Sequence, residues 1–238
     1  MLWLSRKDIE HISRRLLRDY LKKVPQKVDH IDPADFAEKM CGLQFTFADI
    51  SEAHDAIGLT ATSGVIITIP QRDGTKLDYE LDGKTAFIDQ SLVAENRVGR
   101  LNFTVMHEAA HQLFWMLYPE EYEAQIPRCV FRMTDEHTQY PVLDWEEWQT
   151  NVLTSYLLLP KELVYRHMAD VGLKDGISVL NRIYARKDYE RFSEAAKRLG
   201  VSKTALTIRL SQLGLVGRND LYDPYALVDI FPEKNEIA

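Results

Sequence analysis

Five residues near the middle of this 238-residue chain, His107-Glu108-Ala109-Ala110-His111, restrict its fold more than any others. Around them stand Phe103, Val105, Met106, Leu113, Phe114 and Trp115, so the segment is apolar on most sides. A helix apolar all round belongs in a protein interior. Two imidazoles and a carboxylate carried there lose their hydration, which is costly unless they find partners. On a helix, residues four apart lie on one face, one turn above the other. His107 and His111 can therefore converge on one divalent ion. Glu108 adjoins the first histidine and can reach a water at that ion without ligating it. The bland alternative is a pair of core histidines hydrogen-bonded to side chains or carbonyls.

The spacing is that of H-E-x-x-H, and the expected chemistry is hydrolysis by an activated water. An open catalytic site needs a third protein ligand. The helical segment from Asp144 to Leu159 offers Glu147, with Glu146 as a rival. Glu147 also stands three residues after Asp144, the spacing of a capping box, so it can be read as a cap alone. His, His and Glu suit Zn²⁺, with Mn²⁺ or Fe²⁺ as alternatives.

The run Glu147-Trp-Gln-Thr-Asn151-Val-Leu-Thr-Ser-Tyr-Leu-Leu-Leu-Pro160 resembles the second motif of the ImmA/IrrE-type metallopeptidases, E-x-x-A-N-x-F-A-x-x-L-L-M-P. Glu147, Asn151, Leu157, Leu158 and Pro160 fall in register, while Thr150, Leu153, Thr154 and Leu159 depart from it. The resemblance covers roughly residues 30–215. It implies Glu147 as third ligand and a cytoplasmic, metal-dependent endopeptidase whose substrate is a helix-turn-helix repressor or similar regulator. Asn151 would orient a ligand or clamp neighbouring backbone, with an interhelical hydrogen bond as the plainer role. The residue steadying the oxyanion is not implied. Tyr122, His137 and Tyr140 lie between the two metal helices and are candidates, each more simply read as a surface residue. Cys129 is read as a buried free thiol in preference to an inhibitory ligand.

Periodicity predicts an α+β fold: a small, mostly antiparallel sheet packed on the metal-bearing helices, in a zincin-like arrangement. Ser5 with Asp8 marks the start of an amphipathic helix ending near Lys23, and Asp32-Pro33 starts a second that stops at Gly42. Strands are predicted at 43–47, 64–69, 76–81 and 84–88, and the last is expected to be the sheet edge that receives a substrate peptide. From Gly176 to about Leu215 the chain reads as helical and basic. Four units follow: an N-terminal helix (1–30), a metallopeptidase core (31–175), a helical, helix-turn-helix-like segment (176–217) and an acidic tail (218–238).

Within 192–215, Ala196, Gly200, Ser202, Leu206 and Leu210 have the spacing of a helix-turn-helix. Lys203, Thr204, Thr207 and Arg209 are a thin set for reading bases, so sequence-specific DNA binding is not expected. Residues 181–218 hold nine Lys and Arg against three Asp and Glu, in a chain of net charge −7. Such a segment suits an acidic protein partner, although a solvated helical face explains it equally. The irregular stretch 118–143 is a candidate cover for the cleft. No run of 18 apolar residues and no secretory leader are read, and two cysteines without CxxC fit a reducing cytoplasm. The competing function is a DNA- or partner-binding transcriptional regulator with a structural or silent metal site. A structural site, however, has no need of Glu108.

Overall fold

The computed structural model describes residues 3–24, 27–51, 56–61, 65–71, 74–93, 97–123 and 145–225. Among them the fold is α+β, with eight α-helices and small mixed sheets. Helix α1 (Arg6–Leu21) starts at Ser5, whose hydroxyl accepts from the Asp8 amide while the Asp8 carboxylate accepts in return from the Ser5 amide. Helix α2 (Pro33–Cys41) is capped by Asp32 and ends at Gly42, whose φ of +68° is open to glycine without strain.

Strand β1 (Gln44–Ala48) follows. Strand β2 (Gly58–Leu59) comes next, then β3 (Val65–Pro70), β4 (Lys76–Leu81) and β5 (Thr85–Asp89). β3 and β4 form the antiparallel hairpin that the alternating pattern predicts. The other sheet departs from expectation. β5 is its central strand, parallel to β1 from Gln44↔Thr85 to Ala48↔Asp89 and antiparallel to β2 through Gly58↔Ile88 and Leu59↔Phe87. It is therefore no free edge, and the docking strand expected at 84–88 is withdrawn. Ala86, Phe87, Ile88 and Asp89 are all buried. That unbroken buried run marks a strand covered on both faces. The long connection from β1 to β5 permits the parallel pairing that a hairpin forbids.

Helix α3 (Val98–Leu117) carries the H-E-x-x-H residues. It is followed by α4 (Pro119–Glu123), α5 (Trp145–Leu158) and α6 (Lys161–Asp170). The segment after Gly176 is not helical throughout. Strand β6 (Ile177–Leu180) precedes α7 (Arg186–Arg198) and α8 (Lys203–Gln212), and β7 (Val216–Asn219) returns parallel to β6. Four-residue strands are too short to impose a readable period. The stretch 124–144, which includes Cys129, His137, Tyr140 and Asp144, lies outside the described residues, as does the Tyr122 side chain. The expected cover over 118–143 falls mostly there too.

One apolar cluster runs from Leu4 and Ile9 through Phe36, Met106, Ala110, Leu153 and Val164 to Phe192, Leu206 and Leu210. α3 packs against α2 and α5, and α5 against α1. Helix α8 is fastened to this core by Arg209. Its Nε donates to the Leu159 carbonyl at 3.0 Å, and its guanidinium lies 4.4 Å from the Tyr156 ring centre. Thr207 is buried as well, so two of the four side chains weighed for base reading face inward. Among the described residues, no helix is long and apolar enough to cross a membrane. Arg209→Ala would leave the Leu159 carbonyl without its charged donor. Urea denaturation should show a loss of about 2–3 kcal/mol, with Arg209→Lys recovering only part of it.

Candidate metal centre

His107 and His111 point from one face of α3, with their Nε2 atoms 3.0 Å apart and their rings nearly perpendicular. Glu147 reaches them from α5. Its Oε2 lies 3.2 Å from His107 Nε2, and its Oε1 lies 3.3 Å from His111 Nε2. The three groups offer donor atoms all within 4.8 Å of one another. Both histidines are buried, whereas Glu147 keeps 27% of its side chain exposed, so the cluster opens to solvent on the α5 side. Glu146 is buried but is not part of the cluster. Of the two glutamates that spacing left open, the structure brings Glu147 to the histidines.

The N-terminal segment positions the start of α5. The Leu4 amide donates to Gln149 Oε1 at 2.7 Å, Trp3 lies 5.0 Å from Trp145, Trp145 stacks on Trp148 at 4.4 Å, and Arg6 sits over Trp148. These contacts fix the first turn of the helix, where Glu147 lies. Ala109 and Ala110, between the two histidines, are fully buried, and their small side chains allow neighbouring elements close to α3.

Electrostatics favour the protonation states that ligands need. Burial holds His111 down to about 4, against the opposing pull of the Glu147 carboxylate. Burial alone would raise Glu147, but hydrogen bonds to both imidazoles outweigh it and keep its carboxyl well below the usual range. At neutral pH the pocket thus presents a neutral His111 and an ionised carboxylate, which fits a divalent cation with nitrogen and oxygen preferences such as Zn²⁺.

Glu108 differs from its neighbours. It is fully buried, and burial, with the Glu147 charge adding to it, raises its carboxyl well above the ordinary value. Its Oε2 has no hydrogen-bond partner among the described residues. On the other side it packs on β2, where a Cβ added at Gly58 would fall 2.3 Å from Glu108 Oε1. One turn further along α3, Gln112 donates to Thr60 Oγ1 at 2.9 Å and to the Ala61 carbonyl at 3.0 Å. The segment 58–61 is therefore clamped along the face of α3 that carries Glu108. Sequence reading passed over this segment because a two-residue strand has no period, although Ile57-Gly-Leu-Thr-Ala is a short apolar run with a glycine.

Asn151, expected to orient a ligand or clamp backbone, lies on the outer side of α5. It is exposed on α5, and its side chain has no hydrogen bond among the described residues. The residue beside a ligand is Thr150, whose Oγ1 lies 3.4 Å from His111 Nδ1 and donates to the Glu146 carbonyl at 3.0 Å. With its proton committed there, Thr150 can accept from His111 Nδ1–H when the ring adopts the ligating tautomer, in which Nε2 presents a lone pair in place of the N–H it offers Glu147. Its only sign in the sequence was a threonine where the resembling motif has alanine.

No protein-family profile matches the chain, and no curated protein does.

Two predictions follow from the geometry, both read by competition with a chromophoric chelator. Glu147→Gln should weaken metal binding sharply, whereas Glu146→Gln should leave it nearly unchanged. Thr150→Ala should lower affinity by roughly 10–100-fold, the usual effect of removing a ligand's hydrogen-bond partner, and Thr150→Ser should restore most of it.

Proposed function

We propose that the chain is a metal-dependent endopeptidase of zincin-like arrangement, with one divalent ion, most simply Zn²⁺, held by His107, His111 and Glu147. The observation that carries this reading is Glu108. A buried carboxyl beside a His-His-Glu cluster, with one oxygen lacking a hydrogen-bond partner among the described residues, serves no structural metal site. It suits a group that must exchange protons.

When bound, a divalent ion supplies Lewis acidity, polarising a carbonyl and bringing the acidity of water toward neutral pH. Glu108 performs the proton transfers. Its free oxygen accepts a proton from the attacking water and returns it to the nitrogen of the departing amine. Gly58 leaves room for this carboxylate, because a Cβ there would fall 2.3 Å from Oε1. Thr150 holds the His111 ring in the ligating tautomer. Burial of both imidazoles excludes water from the ligand side, while the open side at Glu147 admits substrate.

The substrate class rests on the resemblance to ImmA/IrrE-type peptidases in the residues 147–160. By that resemblance it is a helix-turn-helix repressor or similar regulator, cleaved in the cytoplasm to release gene expression. The buried state of Arg209 and Thr207 supports a C-terminal segment that serves as a packed appendage and does not read an operator.

Purified protein should hold one equivalent of metal by elemental analysis. Incubation with regulators encoded beside it should yield a discrete cleavage product. Glu108→Gln should retain the metal and reduce turnover by about 10²–10⁴-fold. His107→Ala and His111→Ala should lose metal and turnover together. Full activity in the glutamine variant would remove Glu108 from the mechanism, and protein purified without metal would favour a regulator with a silent site.

A further inference from the structure

The three-stranded sheet is ordered β1-β5-β2, so β1 forms one of its edges. The Gln44 amide donates to the Lys84 carbonyl at 2.7 Å, with Gln44 opposite Thr85 in the parallel register. Main-chain groups of successive strand residues point alternately to the two sides of the strand. Gln44, Thr46 and Ala48 therefore bond to β5, and the N–H and C=O groups of Phe45 and Phe47 point away from it. These outward groups have no hydrogen bond among the described residues. Two donor–acceptor pairs thus stand roughly 7 Å apart along an open edge.

Edge strands are commonly protected by a charge, a proline or a bulge. β1 reads Gln44-Phe-Thr-Phe-Ala48 in unbroken register with β5 and has none of these. Gln44 and Thr46 are exposed, and Phe47 keeps 47% of its surface in solvent. A cavity of about 610 Å³ runs beside this strand. Four consecutive residues line it, Thr46 to Asp49. Neighbouring side chains point to opposite faces of a strand, so the cavity follows the edge and not one face alone. Leu77 and Tyr79 of β4 and Phe87 of β5 give it an apolar lining. Its charged residues are one cation, Lys76, and one anion, Asp49, so the described lining carries no net charge to repel a second copy.

We propose that β1 pairs antiparallel with β1 of a second copy of this chain, joining the two sheets into one. The edge is self-complementary about Thr46. With a two-fold axis there, Phe45 of each copy exchanges both main-chain hydrogen bonds with Phe47 of the other, and every outward N–H and C=O is used. Phe45 then faces Phe47 across the strands on one side of the sheet, and Thr46 faces Thr46 on the other. Aromatic pairs and Thr–Thr pairs are both favourable across strands. Gln44 of the second copy, opposite Ala48, lies on the side of the sheet that carries Thr46 and Phe87, where the cavity offers space. An unrelated extended peptide can use the same main-chain groups, but the strand's own sequence supplies the match on both faces. Stable interfaces bury roughly 1,200–2,000 Å², and a short strand provides only part of that, so the dimer is weak, with a Kd of about micromolar order.

Sedimentation velocity of the full chain between about 2 and 200 μM tests this. A reversible shift from monomer to dimer is expected, and amide hydrogen exchange at Phe45 and Phe47 should slow as concentration rises. Thr46→Lys sets two ammonium groups opposite each other on the axis and should weaken the dimer by about tenfold or more. Phe47→Pro removes one outward donor without removing a bond to β5, and should weaken it likewise. Far-UV circular dichroism checks that both variants keep the fold. Ile66→Lys, at an exposed apolar residue outside the cavity, should leave association unchanged. A chain that stays monomeric throughout would overturn the proposal. So would a dimer that survives Thr46→Lys, or one that Ile66→Lys breaks equally. Slow exchange at Phe45 and Phe47 in a monomeric chain would put another stretch of polypeptide on the edge and overturn it too.

Discussion

Three electron-donating groups crowd together, two of them buried beyond the reach of water, and the rest of the molecule is arranged to tolerate this. His107 and His111 are 3.0 Å apart at their Nε2 atoms, and the Glu147 carboxylate spans them both. In an apolar interior such a cluster is sustainable only if its charges are matched. One imidazole is kept neutral by burial, the carboxylate is kept ionised by its hydrogen bonds, and the three donors together could hold a cation. Helices α3 and α5 must therefore be held in fixed register. The large apolar cluster does this from one side, and the Trp3, Trp145, Trp148 and Arg6 stack does it at the first turn of α5.

α3 links the functional features along its length. Its start packs through Gly99 on Ser202, its middle supplies two histidines and Glu108, and Gln112 beyond them grips the Thr60 hydroxyl and the Ala61 carbonyl. Each turn of the helix meets a different element. A small displacement of α3 along its axis would alter all of these contacts together, because packed interiors do not deform continuously.

What was readable in the sequence divides by distance along the chain. His107, Glu108 and His111 announced themselves because their chemistry lies within one turn of helix. The caps at Ser5, Asp32 and Ser202 were readable for the same reason, and each makes its bond. By spacing Glu147 was one of two local choices; the resemblance favoured it, and the packing of α5 on α3 brings it, and not Glu146, to the histidines. The contributions of Gly58 and Thr150 were hidden. A glycine matters here because a helix presses on it, and a threonine because an imidazole 39 residues away in sequence lies opposite. The central place of β5 and the parallel β6–β7 pair were missed for a related reason: parallel strands meet across long connections, and short strands carry no period of their own. Asn151 shows the converse, a motif position whose side chain faces solvent.

The Leu4 amide finds its acceptor on Gln149, 145 residues later in the chain. During synthesis α1 emerges long before α5, so the surface that it covers is made more than a hundred residues later. Until then its apolar stripe, Ile9, Leu16, Leu17 and Tyr20, has no permanent neighbour in α5. Contacts so distant in sequence are slow to close and leave apolar surface exposed while they wait. The two histidines likewise leave the ribosome well before their carboxylate partner. The nascent protein thus passes through an interval in which the donors of α3 exist without the element that completes them, and the His-His-Glu cluster is assembled only after α5 has been made.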